Sequence, residues 1–132
     1  MIALDTNALV RLIVYDDESQ AKAVERLLVR ARRDETPVLL SDIVLCELVW
    51  VLTSRLRKTR AEIAEVLDRV LRTELFVFAD AAALEKAVDA YQGGRGDFAD
   101  YIIREHARAA GASEVVTFDR ALKGEDGVRA LG

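Results

Sequence analysis

Residues 1–10 read MIALDTNALV, and the fold turns on how that run is punctuated. Ile2, Ala3 and Leu4 are apolar. A carboxylate, Asp5, then arrives with Thr6 and Asn7, before apolar character resumes at Ala8. A short buried strand that ends on a charge is either turning at the surface or delivering that charge to a site. The same construction recurs late in the chain, where Val115-Val116-Thr117-Phe118 runs into Asp119. Taken singly, either aspartate reads as a turn or cap residue.

Between these two ends the pattern alternates strands with helices. Ile2–Leu4 reads as the first strand. A helix from Glu18 to Arg33 carries Ala21, Val24, Leu27, Leu28 and Ala31 at three- and four-residue spacing. Thr36-Pro37 breaks it, with the proline tolerated at the entrance of a second strand, Val38–Leu40. Ser41 or Asp42 can cap a helix over Ile43–Leu56. Thr59-Arg60-Ala61-Glu62 fits a capping box, followed by an Ile63, Val66, Leu67, Val70, Leu71 face. Leu75–Phe78 is a third strand, and Asp80 can cap a helix carrying Leu84, Ala87, Val88 and Tyr91. After the loop Gly93-Gly94-Arg95-Gly96, Asp97 opens a helix that stops near Gly111. Val115–Phe118 is a fourth strand, and a short fifth surrounds Val128. The expectation is a single α/β domain over residues 1–132. It has a central, mostly parallel sheet of four to five short strands, with paired helices between strands. In such sheets sites form beyond the carboxyl ends of the strands. Asp5 and Asp119 both stand there.

Composition narrows the function classes. At 52% hydrophobic and 32% charged residues, the chain is globular rather than disordered. Cys46 is the only cysteine, which rules out an internal disulfide. No basic segment followed by an apolar one opens the chain, and the nearly apolar Ile43–Leu52 is too short to span a bilayer. A soluble, cytoplasmic protein without membrane contact is expected. The net charge of −4 disfavours attraction of nucleic acid by the whole surface. A local basic groove stays open, from Arg55, Arg57, Lys58 and Arg60 or from Arg95. For the first cluster a solvated helix end is the plainer alternative.

Further carboxylates sit where surface is not expected. Glu47 is the only charge between Ile43 and Leu52. A helix apolar nearly all round is buried, so Glu47 is either a buried acid needing a partner or the mark of one narrow solvated stripe. Asp97 and Asp100, three apart, share one face near a helix start, where the dipole and free amides stabilise anions. Arg104, four residues past Asp100, pairs with it by default or faces phosphate. If these acids converge, they cannot all ionise without a counter-charge. Hard divalent cations, Mg²⁺ or Mn²⁺, take such oxygen ligands. With one histidine and one cysteine, the chain is short of the ligands zinc sites ordinarily use, which disfavours zinc. His106 reads as a surface or packing residue and Cys46 as a small core residue. A carboxylate-held cation with bound water suits phosphodiester hydrolysis. Thr6, Asn7, Ser41 and Thr117 are candidates to hold the carboxylates or the substrate, and each can equally be a turn or cap residue.

ALDTNAL, SDIVLCEL, DFADYIIREHA and VVTFDRAL, in that order, resemble the PIN-domain family, and among its members the VapC-type toxins of toxin–antitoxin pairs. The resemblance spans essentially the whole chain. It implies a Mg²⁺- or Mn²⁺-dependent endoribonuclease with a PIN-like fold. The acidic quartet carried over is Asp5, Glu47, Asp100 and Asp119, and Asp97 matches an extra aspartate that binds a second metal. Which of Asp97 and Asp100 is the primary third ligand stays open. Thr6 and Thr117 match the hydroxyl positions beside the strand-end aspartates. A structured RNA such as tRNA as substrate, a small cognate antitoxin and a homodimer are further implications. One departure follows Asp119, where RALKGEDGV has no aromatic residue.

Three rivals are weighed. A receiver-type phosphotransfer domain explains Asp5 and Asp80 but not Glu47 or paired helices. A haloacid-dehalogenase-like phosphatase requires an aspartate where this chain has Asn7. A catalytically silent PIN-like module that binds RNA or a partner keeps the fold without the reaction, although every expected carboxylate is present.

Overall fold

The computed structural model describes all 132 residues. Five short strands and six α-helices follow one another, and all but the first helix stand where the alternation predicts them. The strands are β1 (Ile2–Ala3), β2 (Val38–Leu39), β3 (Phe76–Val77), β4 (Val115–Thr117) and β5 (Val128–Ala130). The helices are α1 (Thr6–Val14), α2 (Glu18–Arg33), α3 (Asp42–Ser54), α4 (Arg60–Leu71), α5 (Ala81–Gly93) and α6 (Phe98–Ala109). A single 3-10 turn, Arg120–Leu122, separates β4 from β5.

Helices therefore do come in pairs between strands, and α1 completes the first pair. The apolar pattern from Ala8 onward does not by itself announce this nine-residue helix. Its start is set by Asp5, whose Oδ1 accepts the Ala8 N–H at 2.9 Å. The other starts follow the sequence signals. Ser41 accepts the Val44 amide, Asp80 accepts the Ala83 amide, and Thr59 and Glu62 close a reciprocal capping box.

All strand pairings are parallel, but they form two groups rather than one sheet. β1, β2 and β3 pair in that order, with Ile2 opposite Val38 and Val38 opposite Phe76. β4 pairs only with β5. Because β1 and β2 are in register, their carboxyl ends stop side by side, and Asp5 comes to stand beside Ser41 and the start of α3. Leu4, Val38, Leu40, Leu45, Leu48, Ile63, Leu67 and Leu84 fill the core between this sheet and the helices. No helix is long and apolar enough to cross a membrane.

Two expectations about charged residues are corrected. Glu47 is exposed, not buried. It shares its helix face with Ile43 and Trp50, which are 72% and 62% exposed, so α3 carries a solvated stripe despite its apolar composition. Arg104 does not pair with Asp100. It lies 7% exposed over the Tyr101 ring, bonded to Glu105 at 3.1 Å and to the Asp126 carbonyl at 3.0 Å. Glu105, also buried, accepts from Arg108, which reaches Asp126. This network fastens α6 to the segment entering β5. Glu105→Ala would leave the buried Arg104 guanidinium without its carboxylate, while Arg108 keeps Asp126, and removing one member of a buried pair costs about 3 kcal/mol or more. Urea denaturation is expected to show that loss as a lower midpoint with an unchanged slope.

Candidate active site

Every carboxylate singled out from the sequence lies at a strand end, at a helix start or on the open face of α3. Asp5 follows β1 and caps α1. The next residue, Thr6, donates its hydroxyl to Glu47 Oε1 at 3.0 Å. That bond joins the strand end to the middle of α3 and brings Asp5 and Glu47 into one cleft of about 380 Å³, lined also by Thr6, Asn7, Trp50 and Arg55.

The other three acids form a second group. The Asp97 amide donates to Asp100 Oδ2 at 2.9 Å, across the first turn of α6. Asp119 closes β4, its own amide donating to the Thr117 hydroxyl at 3.0 Å while its Oδ1 accepts the Ala121 amide. Burial pushes the Asp100 carboxyl above its ordinary range, the Asp97 amide partly offsets this, and the charges of Asp97 and Asp119 raise it further. Asp97 lines an adjoining cleft of about 270 Å³ with Cys46, Thr53 and Lys58. Trp50 lines both clefts.

Orientation is shared by four of the five acids. Asp5, Glu47, Asp100 and Asp119 each hold one oxygen through a single hydrogen bond, while the other oxygen receives none from the protein. None of the five takes part in an ion pair, although eleven such pairs are spread over the rest of the molecule. Oxygen-only donors, oriented and left without a cation from the chain, fit a hard divalent ion by chemistry. The two groups do not close round one point, since no three His, Cys, Asp or Glu side chains are grouped closely enough to hold an ion.

The remaining candidates divide. Ser41 is the cap of α3, and Asn7 lines the Asp5 cleft. Arg95 is committed to its own loop, its guanidinium donating to the Lys123 carbonyl and its amide to Glu125. Arg60 donates to the Tyr91 and Gly96 carbonyls and lies over the Tyr91 ring. The glycine loop is thereby held against α6, and a Cβ at Gly96 would stand 3.2 Å from Asp100 Oδ2 and run into Leu122. Half-burial, with Asp42 and Glu47 nearby, pushes the Cys46 thiol up to about 11, which leaves it inert as a nucleophile. His106 pairs with Asp42 at 2.7 Å, linking α6 to the start of α3. Trp50 escaped the sequence reading. Its spacing of three from Glu47 was the available signal, since it puts both on one helix face.

The PIN domain family model matches residues 2–125. The chain belongs to the PIN domain family. It is similar to the "VapC ribonuclease" of Aquifex aeolicus (strain VF5), 27% identical over 123 residues, a span covering 93% of this chain and 90% of that protein. No solved structure matches. The ordered motifs and the paired-helix architecture agree with that membership.

The position of Asp100 has a thermal consequence. A carboxyl whose pKa is higher folded than unfolded binds more protons in the native state, so stability falls as pH rises through that interval. Without divalent cations, Asp100→Asn is expected to raise Tm at neutral pH. The gain should vanish below the ordinary carboxylate range, where both forms are neutral. Scanning calorimetry of both proteins in chelator, across acid to neutral pH, checks this.

Proposed function

We propose that this PIN-domain protein is a divalent-metal-dependent endoribonuclease, the toxin of a VapBC-type toxin–antitoxin pair. The observation that carries the proposal is the set of oriented carboxylates without a counter-charge, and the similarity to a VapC ribonuclease supports it. Asp5, Glu47, Asp100 and Asp119 would hold Mg²⁺ or Mn²⁺, with Asp97 available to a second ion. The ion would lower the pKa of a bound water and offset charge on the scissile phosphate. Thr6 keeps Glu47 turned toward Asp5, and Thr117 keeps the Asp119 turn closed. An RNA substrate, tRNA or another structured RNA, would enter along the cleft beside α3.

A small antitoxin would silence the enzyme by placing a basic side chain among these acids, which have no such partner within the chain. A cytoplasmic homodimer is part of the same proposal. A catalytically silent RNA-binding module is the second reading, favoured by the separation of the carboxylates into two groups.

Purified, antitoxin-free protein should cut total cellular RNA into discrete fragments with Mg²⁺ or Mn²⁺ and leave it intact in chelator. Asp5→Asn should lose cleavage while keeping its fold by circular dichroism; wild-type cutting by that variant overturns the assignment. Thr6→Val removes only the bond that orients Glu47 and should lower the rate about 10- to 100-fold, as loss of a ligand's supporting partner does elsewhere. Confirmed metal binding without any cleavage transfers the site to the silent module.

A further inference from the structure

Trp50 is the molecule's single tryptophan, and it is 62% exposed in the middle of an apolar helix. It lies one turn beyond Glu47 on the open face of α3 and lines both clefts. Arg55 follows as the C-terminal cap of α3 and lines the first cleft. Its guanidinium takes part in no ion pair. The other cation of that cleft, Arg11, is spent on Gln20 and Asp16. At the rise of an α-helix, Trp50 stands about 4.5 Å and Arg55 about 12 Å beyond Glu47 along the axis. The face thus presents an acid that can hold a cation, then an aromatic plane, then a free guanidinium.

A single nucleic-acid strand presents the complementary order of phosphate, base and phosphate. We propose that Trp50 is the platform on which a nucleobase beside the scissile phosphate stacks, with Arg55 receiving a neighbouring phosphate. This rests on the RNA-cleaving function proposed above. An aromatic anchor for a protein partner sits in a well-packed pocket ringed by contacts that exclude water. The Asp5 cleft beside Trp50 is instead lined mainly by polar groups, Asp5, Thr6, Asn7, Glu47 and Arg55 among them, while the adjoining cleft sets Lys58 and Asp97 in a more apolar wall. Ile43, the other exposed apolar residue of this face, lines neither cleft. Stacking on an indole tolerates every base, because every base has a π face. Trp50 therefore sets the position of the strand more than its sequence.

A lone tryptophan reports on itself. Titration of the full chain with a 2′-O-methyl oligoribonucleotide of about 12 nucleotides, shown by gel to be intact at the end of the titration, should quench indole emission in Mg²⁺. An abasic oligomer of equal length and charge should leave it unchanged. Trp50→Ala should bind the labelled oligomer about 5- to 100-fold more weakly by fluorescence anisotropy, and Trp50→Phe should recover part of the loss. Arg55→Gln should reduce the salt dependence of binding by about one phosphate contact. Equal affinity of Trp50→Ala and wild type overturns the proposal, as does binding without quenching. Quenching that follows protein concentration instead of RNA also overturns it, by making the face a contact between copies. Cleavage of cellular RNA by the wild type tests the enzyme assignment separately. Stacking without cleavage leaves Trp50 as the platform of a binding module, and neither binding nor cleavage defeats both proposals.

Discussion

Much of the structure turns on holding two groups of carboxylates, Asp5 with Glu47 and Asp97 with Asp100 and Asp119, without an ion-pair partner. Like charges placed close together cost free energy unless something of opposite sign faces them. No lysine or arginine of the chain forms an ion pair with any of the five. What the chain supplies are backbone amides at helix starts. Ala8 faces Asp5, Asp97 faces Asp100 and Ala121 faces Asp119. Each amide belongs to the first turn of a helix or 3-10 segment, where N–H groups have no partner within the helix and the dipole favours anions. Glu47, on the side of α3, has no such amide and takes the Thr6 hydroxyl instead. One oxygen of each acid is thereby steadied while its charge stays uncancelled. Such an arrangement lowers the cost of assembling the acids without cancelling their charge.

The same economy explains where the arginines went. Nineteen basic residues could furnish a broad anion-binding surface, yet several of those near the acids are engaged by partners within the chain. Arg60 and Arg95 satisfy carbonyls of the loops around Gly96 and Lys123, and Arg104 is buried against Tyr101 and Glu105. The Tyr101 hydroxyl accepts the Gly96 amide and donates to Glu125, which holds that carboxyl below its usual range. These contacts fix the approach to α6 and so fix where Asp97 and Asp100 stand. They also leave Arg55 conspicuous as a cation in the Asp5 cleft without an ion-pair partner.

Much of the fold was legible because its signals are local. A capping box needs four residues, and Thr59–Glu62 forms it as read. Asp80 and Asp97 begin helices where their positions before apolar periodicity indicate. The strands are apolar runs between such helices, so the alternation and the resulting α/β class follow. Pairing was less legible. Strands of two or three residues carry too few side chains to announce their neighbours, and nothing in the pattern separates β4 and β5 from the other three. Helix α1 was hidden for a different reason. Asp5 performs two tasks, ending β1 and capping the next element, and only the first is visible when Thr6 and Asn7 are taken as a turn.

Glu47 shows how a sound rule can rest on a premise the fold does not meet. Apolar composition around a helix implies burial only if every apolar side chain has protein to face. Here Ile43 and Trp50 do not, and the acid between them shares their exposure. The anomaly that drew attention was therefore not a charge forced into a core. It was two large apolar groups left outside one, on the same face as an acid already tied to Asp5 by Thr6. A helix that keeps an indole in water beside a carboxylate gains nothing in its own stability from the arrangement, since moving that apolar surface out of water would be favourable. A nucleobase stacked on the ring, as proposed above, would supply that gain. An open cleft lined by charges of both signs favours a polar, extended occupant over a second hydrophobic surface.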